Sequence, residues 1–260
     1  MIKSPSLSAV SRTCASVFVV TSGVRTLASF AALAATGCAT ASSAGMPTNQ
    51  IKPALEVKVD ASPAASETYL SAVLEQPGSL SRVQLAPGDT LTASSDKDAQ
   101  IALSYDGMLQ IFTAHLPKVT DRATITFSFA RSGGSAGATA TVQLPAALAL
   151  TSPTNAQQVS YAGGAGSAKL AWSNAASGPV HFFTYPCGAA AVATRDLQAP
   201  DSGSFSLPAT ALVASAPPAS GQCVTIRIQR QAIGTVDAGF APGSKLVAMR
   251  FDYVNVNVVP

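Results

Sequence analysis

Charge is what this chain has least of. Only 11% of its 260 residues are Asp, Glu, Lys or Arg, less than half the roughly 25% usual in soluble domains. That scarcity excludes a charge-rich disordered chain. Histidine is nearly absent too: His115 and His181 are the two in the sequence, and they stand far apart. Without a CxxC pair or an HExxH segment, no zinc spacing can be assembled and no cofactor is expected. After position 38 the only glutamates are Glu56, Glu67 and Glu75, a thin supply for paired-carboxylate catalysis. No apolar run reaches the roughly 20 residues that a membrane-spanning helix needs. No long segment repeats apolar residues at helical spacing. The net charge of +3 is also misleading, because three of the sixteen bases (Lys3, Arg12, Arg25) lie in residues 1–37, which hold no acid. The thirteen bases that remain face thirteen acids and are scattered singly, so no nucleic-acid partner is expected.

What is present begins at the N-terminus. Those bases precede the apolar run Leu27-Ala28-Ser29-Phe30-Ala31-Ala32-Leu33-Ala34-Ala35, and Thr36-Gly37-Cys38 follows. The order basic, apolar, small describes an export signal over residues 1–37. Val24-Arg25-Thr26 would open a compact version of it if translation began at Val24. The ending Ala35-Thr36-Gly37-Cys38 resembles the lipobox of bacterial lipoproteins, with Ala35 where that family usually has Leu. The resemblance implies cleavage between Gly37 and Cys38, diacylglyceration of the Cys38 thiol and acylation of the new N-terminus. Two acyl chains anchor stably where one binds only marginally, since each buried CH₂ contributes about 0.8 kcal/mol. The implied partner is therefore a lipid bilayer. Ala39 follows the cysteine, whereas Gram-negative lipoproteins held at the inner membrane commonly carry Asp there. The implied location is the bacterial cell envelope, at the outer membrane, on its periplasmic or surface face.

Of four cysteines, Cys14 leaves with the signal and Cys38 takes the lipid. Cys187 and Cys223 remain, and an even pair in an exported chain defaults to a disulfide. Cys223 has the opposite strand parity to Val224, Ile226 and Ile228. The bridge is therefore expected to tie a strand end to a loop rather than to pin two sheets together.

Residues 38–52, with Ala39-Thr40-Ala41-Ser42-Ser43-Ala44-Gly45 and Pro47, read as the lipidated cysteine and a flexible tether. From Leu55 onward apolar residues alternate with polar ones: Leu55/Val57/Val59, Ile101/Leu103/Tyr105, Ile125/Phe127/Phe129 and Ala138/Ala140/Val142/Leu144. Turn residues separate them, at Pro87-Gly88-Asp89, Asp106-Gly107 and Ser132-Gly133-Gly134-Ser135. Pro145 ends one set, which predicts a first β-sandwich over 53–145 and a second over 146–260. Pro208 is placed to open a short helical turn through Leu212. The second unit resembles immunoglobulin-like or fibronectin type III modules at Leu170-Ala171-Trp172, Gly203-Ser204-Phe205-Ser206-Leu207-Pro208 and Val224-Thr225-Ile226-Arg227-Ile228. It departs from antibody domains in that Trp172 precedes both cysteines. The expected fold class is all-β, two tandem Ig-like sandwiches after a lipoprotein signal. In the last strand Val247, Met249, Phe251 and Tyr253 share one parity while Val254, Val256 and Val258 take the other, so a β-bulge is expected near Tyr253.

One segment fits a catalytic pattern. Gly133-Gly134-Ser135-Ala136-Gly137 matches G-x-S-x-G, but that elbow needs a strand-to-helix turn, and here strands flank it; His181 is the only histidine downstream. Asp96-Lys97-Asp98 lacks the glycine and closing glutamate of a calcium loop and reads as a polar turn. Of the adjacent Phe182 and Phe183, one belongs in the core and the other is expected under a loop or against the neighbouring unit. No catalytic or metal residue is assigned. The expected function is a membrane-anchored envelope lipoprotein serving as a structural or ligand- or protein-binding module. The alternative is an accessory that binds carbohydrate or protein within a larger envelope or secretion assembly. A hydrolase with an interdomain site is the remote third.

Overall fold

The computed structural model describes residues 40–260 apart from 80, 97, 120–121, 133–135 and 189–195. The strands of the first half are β1 (Thr40–Ser42), β2 (Lys52–Asp60), β3 (Glu67–Glu75), β4 (Arg82–Gln84), β5 (Thr90–Ser95), β6 (Ile101–Ala102), β7 (Ser104–Asp106), β8 (Ile111–Pro117), β9 (Thr124–Ala130) and β10 (Ala138–Gln143). The second half adds β11 (Leu150–Ser152), β12 (Gln157–Ser160), β13 (Ser167–Trp172), β14 (Pro179–Pro186), β15 (Asp196–Pro200), β16 (Ser204–Pro208), β17 (Gln222–Ile233), β18 (Thr235–Val236) and β19 (Lys245–Val259). A single helical turn, α1 (Ala209–Leu212), follows Pro208. The fold is all-β.

Among the described residues the strands form three sheets. One is a long backing sheet of order β1-β4-β3-β2-β19-β17-β14-β15, with β12 beside β19 and the β7–β8 pair beside β3. Two smaller sheets lie against it. The first, β18-β10-β9-β5-β6, closes one core around Phe127, Ile125, Leu70 and Leu55. The second, β11-β13-β16, closes another around Phe182, Trp172, Ile226 and Val256.

The two cores share β17 and β19. Ordinary strands run five or six residues, but β19 has 15, about 50 Å at the usual rise. Its start pairs in parallel with β2 and its end in parallel with β12. Along its other edge it pairs with β17 without interruption, from Ile233↔Val247 to Gln222↔Val258. Leu246 and Ala248 consequently lie in the first core and Val254, Val256 and Val258 in the second. Packing thus crosses residue 145: Phe240, Leu246 and Ala248 lie in the span assigned to the second unit but fill the first core. Gly234 permits the exit from β17, because a Cβ there would stand 2.5 Å from the Thr141 carbonyl oxygen on β10.

The expected bulge near Tyr253 is absent. Burial alternates without a break along β19, with every even residue inside, including Arg250 and Asp252. The apolar Val247, Met249 and Phe251 occupy the outer face instead. Two charges interrupt the inner apolar row, and that interruption mimics a change of phase.

Those charges stand where one core ends and the next begins. Arg230 and Arg250 are directly opposed across β17 and β19, an arrangement that repels unless each finds its own acceptors. The Arg230 Nε donates to Asp201 Oδ2 at 2.6 Å and its Nη2 to Asp201 Oδ1 at 3.0 Å. Its remaining donors reach the carbonyls of Ala146, Ala147 and Asn174. Arg250 turns the other way, donating from Nη2 to the Val119 carbonyl at 3.2 Å. Asp252 accepts the Leu150 N–H at 2.8 Å. The chain joining the units lies in no sheet at Ala146 and Ala147, so its backbone groups need partners from side chains. The buried charges supply them. Trp172 completes the cluster, donating its indole N–H to Asp201 at 2.7 Å.

The flexible tether expected through residue 52 is corrected from Thr40 onward. Strand β1 pairs in parallel with β4, Ser43 and Ile51 are fully buried, and Thr48 Oγ1 donates to the Ala136 carbonyl. Buried Asp89 organises this region. It accepts from Ser43 Oγ at 2.6 Å and from the Ser132 N–H and Oγ, and it faces the Arg131 Nε at 3.1 Å. Arg131 in turn donates to the carbonyls of Ser43 and Met46. Small polar residues resemble loose chain in sequence, but here their short side chains are the ones that fit a buried network.

Removing one partner of a buried, fully bonded ion pair typically costs about 3–5 kcal/mol. Asp201→Ala and Arg230→Ala should each lose that much in urea unfolding, and the double variant should lose clearly less than their sum. Burial pushes Asp89 and Asp201 up, but the hydrogen bonds of Ser43 and Ser132, or of Arg230 and Trp172, outweigh it and hold both carboxyls below the usual range. A depressed folded-state pKa means stability that is present above the unfolded value, about 3.9, and is lost as pH falls through the folded value. Denaturation midpoints should therefore fall below about pH 4, and Asp201→Asn should flatten that dependence.

Candidate functional site

The outer face of the backing sheet, over the second core, carries three rows of side chains fixed by strand register. Tyr185 on β14 lies beside Thr225 on β17 and then Asn255 on β19. The next row is Phe183, Arg227 and Tyr253, and the third is His181, Gln229 and Phe251. All have the parity opposite to the core residues of their strands, so β alternation alone brings them to one surface. Three central strands hold them, which makes the surface a rigid part of the sheet.

Arg227 is the centre. Its guanidinium lies 4.6 Å from the Phe183 ring centroid and 5.3 Å from that of Phe251, within the range of cation–π attraction. Its Nη2 donates to Gln229 Oε1 at 2.7 Å, while its covered Nε makes no hydrogen bond. Burial pulls the guanidinium below its usual range, partly opposed by the Tyr185 phenol. Burial likewise pushes the Tyr185 phenol up, with Arg227 opposing and Tyr253 adding to the rise. Thr225 Oγ1 donates to Asn255 Oδ1 at 2.8 Å. His181 stacks on Phe183 at 6.2 Å with ring planes 7° apart, and its Nδ1 stands 3.0 Å from Asp196 Oδ1. Tyr253 is 46% exposed. The result is a cation stacked between two rings, with Gln229 and Thr225 buried beneath and Tyr253 exposed beside it. Such an array suits a ligand with one apolar face and hydrogen-bonding edges.

Phe182 and Phe183 divide as their parity requires. Phe182 is fully buried and stacks on Phe205 at 5.1 Å. Phe183 is half-buried on the outer face, packed beneath Arg227 rather than against the other unit. Arg227 and Arg230 lie on opposite faces of β17, as their spacing dictates. The signal for the array was available in the unbroken alternation of Phe251, Tyr253, Asn255 and Asn257. Its apolar members, Phe251 and Tyr253, carry the same parity signal as a core row, which hides it.

Other sequence candidates fall as follows. Gly37 and Cys38 lie outside the described residues, as does Ser135. The strands flanking Ser135, β9 and β10, belong to the facing sheet of the first core. His181 belongs to the backing sheet over the second, where its carboxylate neighbour is Asp196. Glu56, Glu67 and Glu75 pair with Lys58, His115 and Arg82. Asp98 accepts from Ser95 Oγ at 2.6 Å, closing a polar turn. Among the described residues no three His, Cys, Asp or Glu side chains gather as a metal site.

Cys187 and Cys223 form a disulfide, with Cα atoms 5.4 Å apart. The Cys187 N–H donates to the Cys223 carbonyl at 3.2 Å. The bridge joins the chain just past β14 to the start of β17, neighbours in one sheet, and does not link the two sheets.

No protein-family model and no curated protein sequence matches this chain. Solved structures do. A chimeric titin Z1Z2 functionalised with an exogenous KLER peptide from decorin matches 81% of this chain and 98% of its own, at 14% identity and a TM-score of 0.24. A two-domain fibronectin type III segment from chicken tenascin matches 78% and 97%, at 16% identity and a TM-score of 0.23. A Salmonella alpha-2-macroglobulin reacted with methylamine matches 80% of this chain and 15% of its own, at 11% identity and a TM-score of 0.24.

The disulfide closes a sequence separation of 36, for which the chain-entropy model gives roughly 3–4 kcal/mol. Reduction should lower stability by that amount. Peptide mapping without reductant should recover Cys187 joined to Cys223, and two free thiols would refute the bridge.

Proposed function

We propose that this chain is an envelope lipoprotein, anchored in the bilayer through acylated Cys38, that works as a non-catalytic binding or structural module. The observation that carries the binding part is the array around Arg227. Tyr253 is 46% exposed there, beside a guanidinium stacked on Phe183 and Phe251, on a sheet too well braced to need them for its own core. The partner it fits is an envelope glycan or protein met side-on, with a pyranose or peptide face against Tyr253 and the stacked Arg227. The anchoring part rests on the order of residues from Arg25 to Cys38, and Ala39 favours the outer membrane. A role as accessory to a larger envelope or secretion assembly draws on the same array, since a flat face suits a flat partner.

Two measurements test the reading. Cys38→Ala should move the protein from the membrane pellet to the soluble fraction, and continued sedimentation would refute the anchor. A photo-crosslinking residue at position 253, in intact envelopes, should give a discrete adduct that Arg227→Ala weakens. The same probe at the exposed Ser206, on the facing sheet, should not. Equal labelling from both positions would remove the binding role from this face.

A further inference from the structure

The end of the first sandwich where β1 begins carries an apolar feature that neither core uses. Strand β3 places its neighbours. Its last residue, Glu75, pairs with Lys52 on β2 and with Arg82 on β4, and Arg82 pairs with Thr40 on β1. Thr40 therefore lies two strand spacings, about 10 Å, from Glu75. Strand β8 leaves β3 at the same end, its last pair being Phe112 with Ala72. The β7–β8 turn projects there.

That turn is built to present two side chains outward. Asp106 Oδ1 accepts the N–H of Met108 at 2.8 Å and of Leu109 at 3.0 Å. Gln110, at φ 54°, reverses the chain into β8. Met108 is 92% exposed and Leu109 63%. Turn tips ordinarily carry Gly, Asn, Asp or Ser, and two adjacent large apolar residues there need a partner of their own. At the same end Lys52 and Arg82 share the carboxylate of Glu75, and with Asp106 in the turn the charges there balance, so the two apolar side chains are what distinguishes it.

The start of the fold supplies the partner. Consecutive Cα atoms are 3.8 Å apart, so Cys38 stands within about 8 Å of Thr40 in any conformation. If Cys38 is acylated, the end of the sandwich that holds β1 is brought to the bilayer surface. No slack remains to lift it away.

We propose that the Met108–Leu109 turn is a second membrane contact, seated at the boundary between headgroups and acyl chains of the same leaflet that takes the Cys38 lipid. This rests on the anchored reading and adds an orientation to it. The first sandwich stands end-on against the membrane with the β7–β8 turn toward it, and the second sandwich points away. A Met and a Leu bind an interface too weakly to anchor alone. Beside a diacylated cysteine their attachment is intramolecular, and modest burial is enough to fix the tilt.

The test uses the full-length chain processed in bacterial envelopes. An environment-sensitive fluorophore is attached at Met108→Cys or, as control, at Ser220→Cys, an exposed position before β17 at the far end. Membranes carrying shallow nitroxide-labelled phospholipid should quench the probe at position 108 at least two-fold and leave the probe at 220 unchanged. Leu109→Asp in the Met108→Cys background should relieve that quenching while the protein still sediments with membranes. Unquenched emission at 108 from protein that does sediment overturns the turn contact and leaves the anchor standing. Protein that fails to sediment, with Cys38→Ala indistinguishable from the parent, overturns both.

Discussion

The hydrogen-bonded ion pair of Arg230 and Asp201 is the constraint on which the two halves depend. Two sandwiches built on one sheet need a chain that crosses from one facing layer to the other, and that crossing lies in no sheet. Its carbonyls at Ala146 and Ala147 cannot be left unpaired in the interior. Arg230 bonds both, and Asp201 neutralises it while accepting the Trp172 indole. An isolated buried ion pair often adds little to stability. Here its value is geometric: it fixes where the second facing sheet begins relative to the first.

From that junction the remaining organisation follows. The β17–β19 ribbon runs through both cores because its inner row changes from apolar to charged to apolar at the crossing. With the inner row devoted to packing and linker bonding, the outer row is free to vary. It holds aromatics and amides over the second core and self-paired charges over the first, where Lys58 lies against Glu56 and over the Tyr69 ring. The two units thus present different surfaces on one rigid support, and the strands dictate the spacing between them.

Much of this was legible from residue alternation. The period of two located β2, the β6–β7 segment, β9 and β10 but not β3, β5 or β8, Pro208 marked the helical turn, and the parity of Cys223 correctly separated its bridge from the inter-sheet core. The errors share a physical cause. Parity reasoning assumes that apolar means inside, and it fails where a buried row contains Arg250 and Asp252 while the outer row contains Val247, Met249 and Phe251. The residues from Thr40 were misread for the converse reason, since Ser43 and Thr48 are buried polar groups whose partners, Asp89 and the Ala136 carbonyl, come from distant positions. Long-range hydrogen bonding leaves no local periodicity to detect. The array around Arg227 needed the registers of β14, β17 and β19 together, and no single segment states those.

The length of β19 has a consequence for the order in which the molecule is made. Strand β2 has β3 on one side and β19 on the other, so the first sandwich lacks a central strand until Lys245–Phe251 have been synthesised. Neither half can close early, because β19 contributes to both cores. The contacts that complete the first core are among the longest in sequence, and such topologies fold slowly. The ribbon that makes the finished protein rigid is also what keeps the nascent chain open.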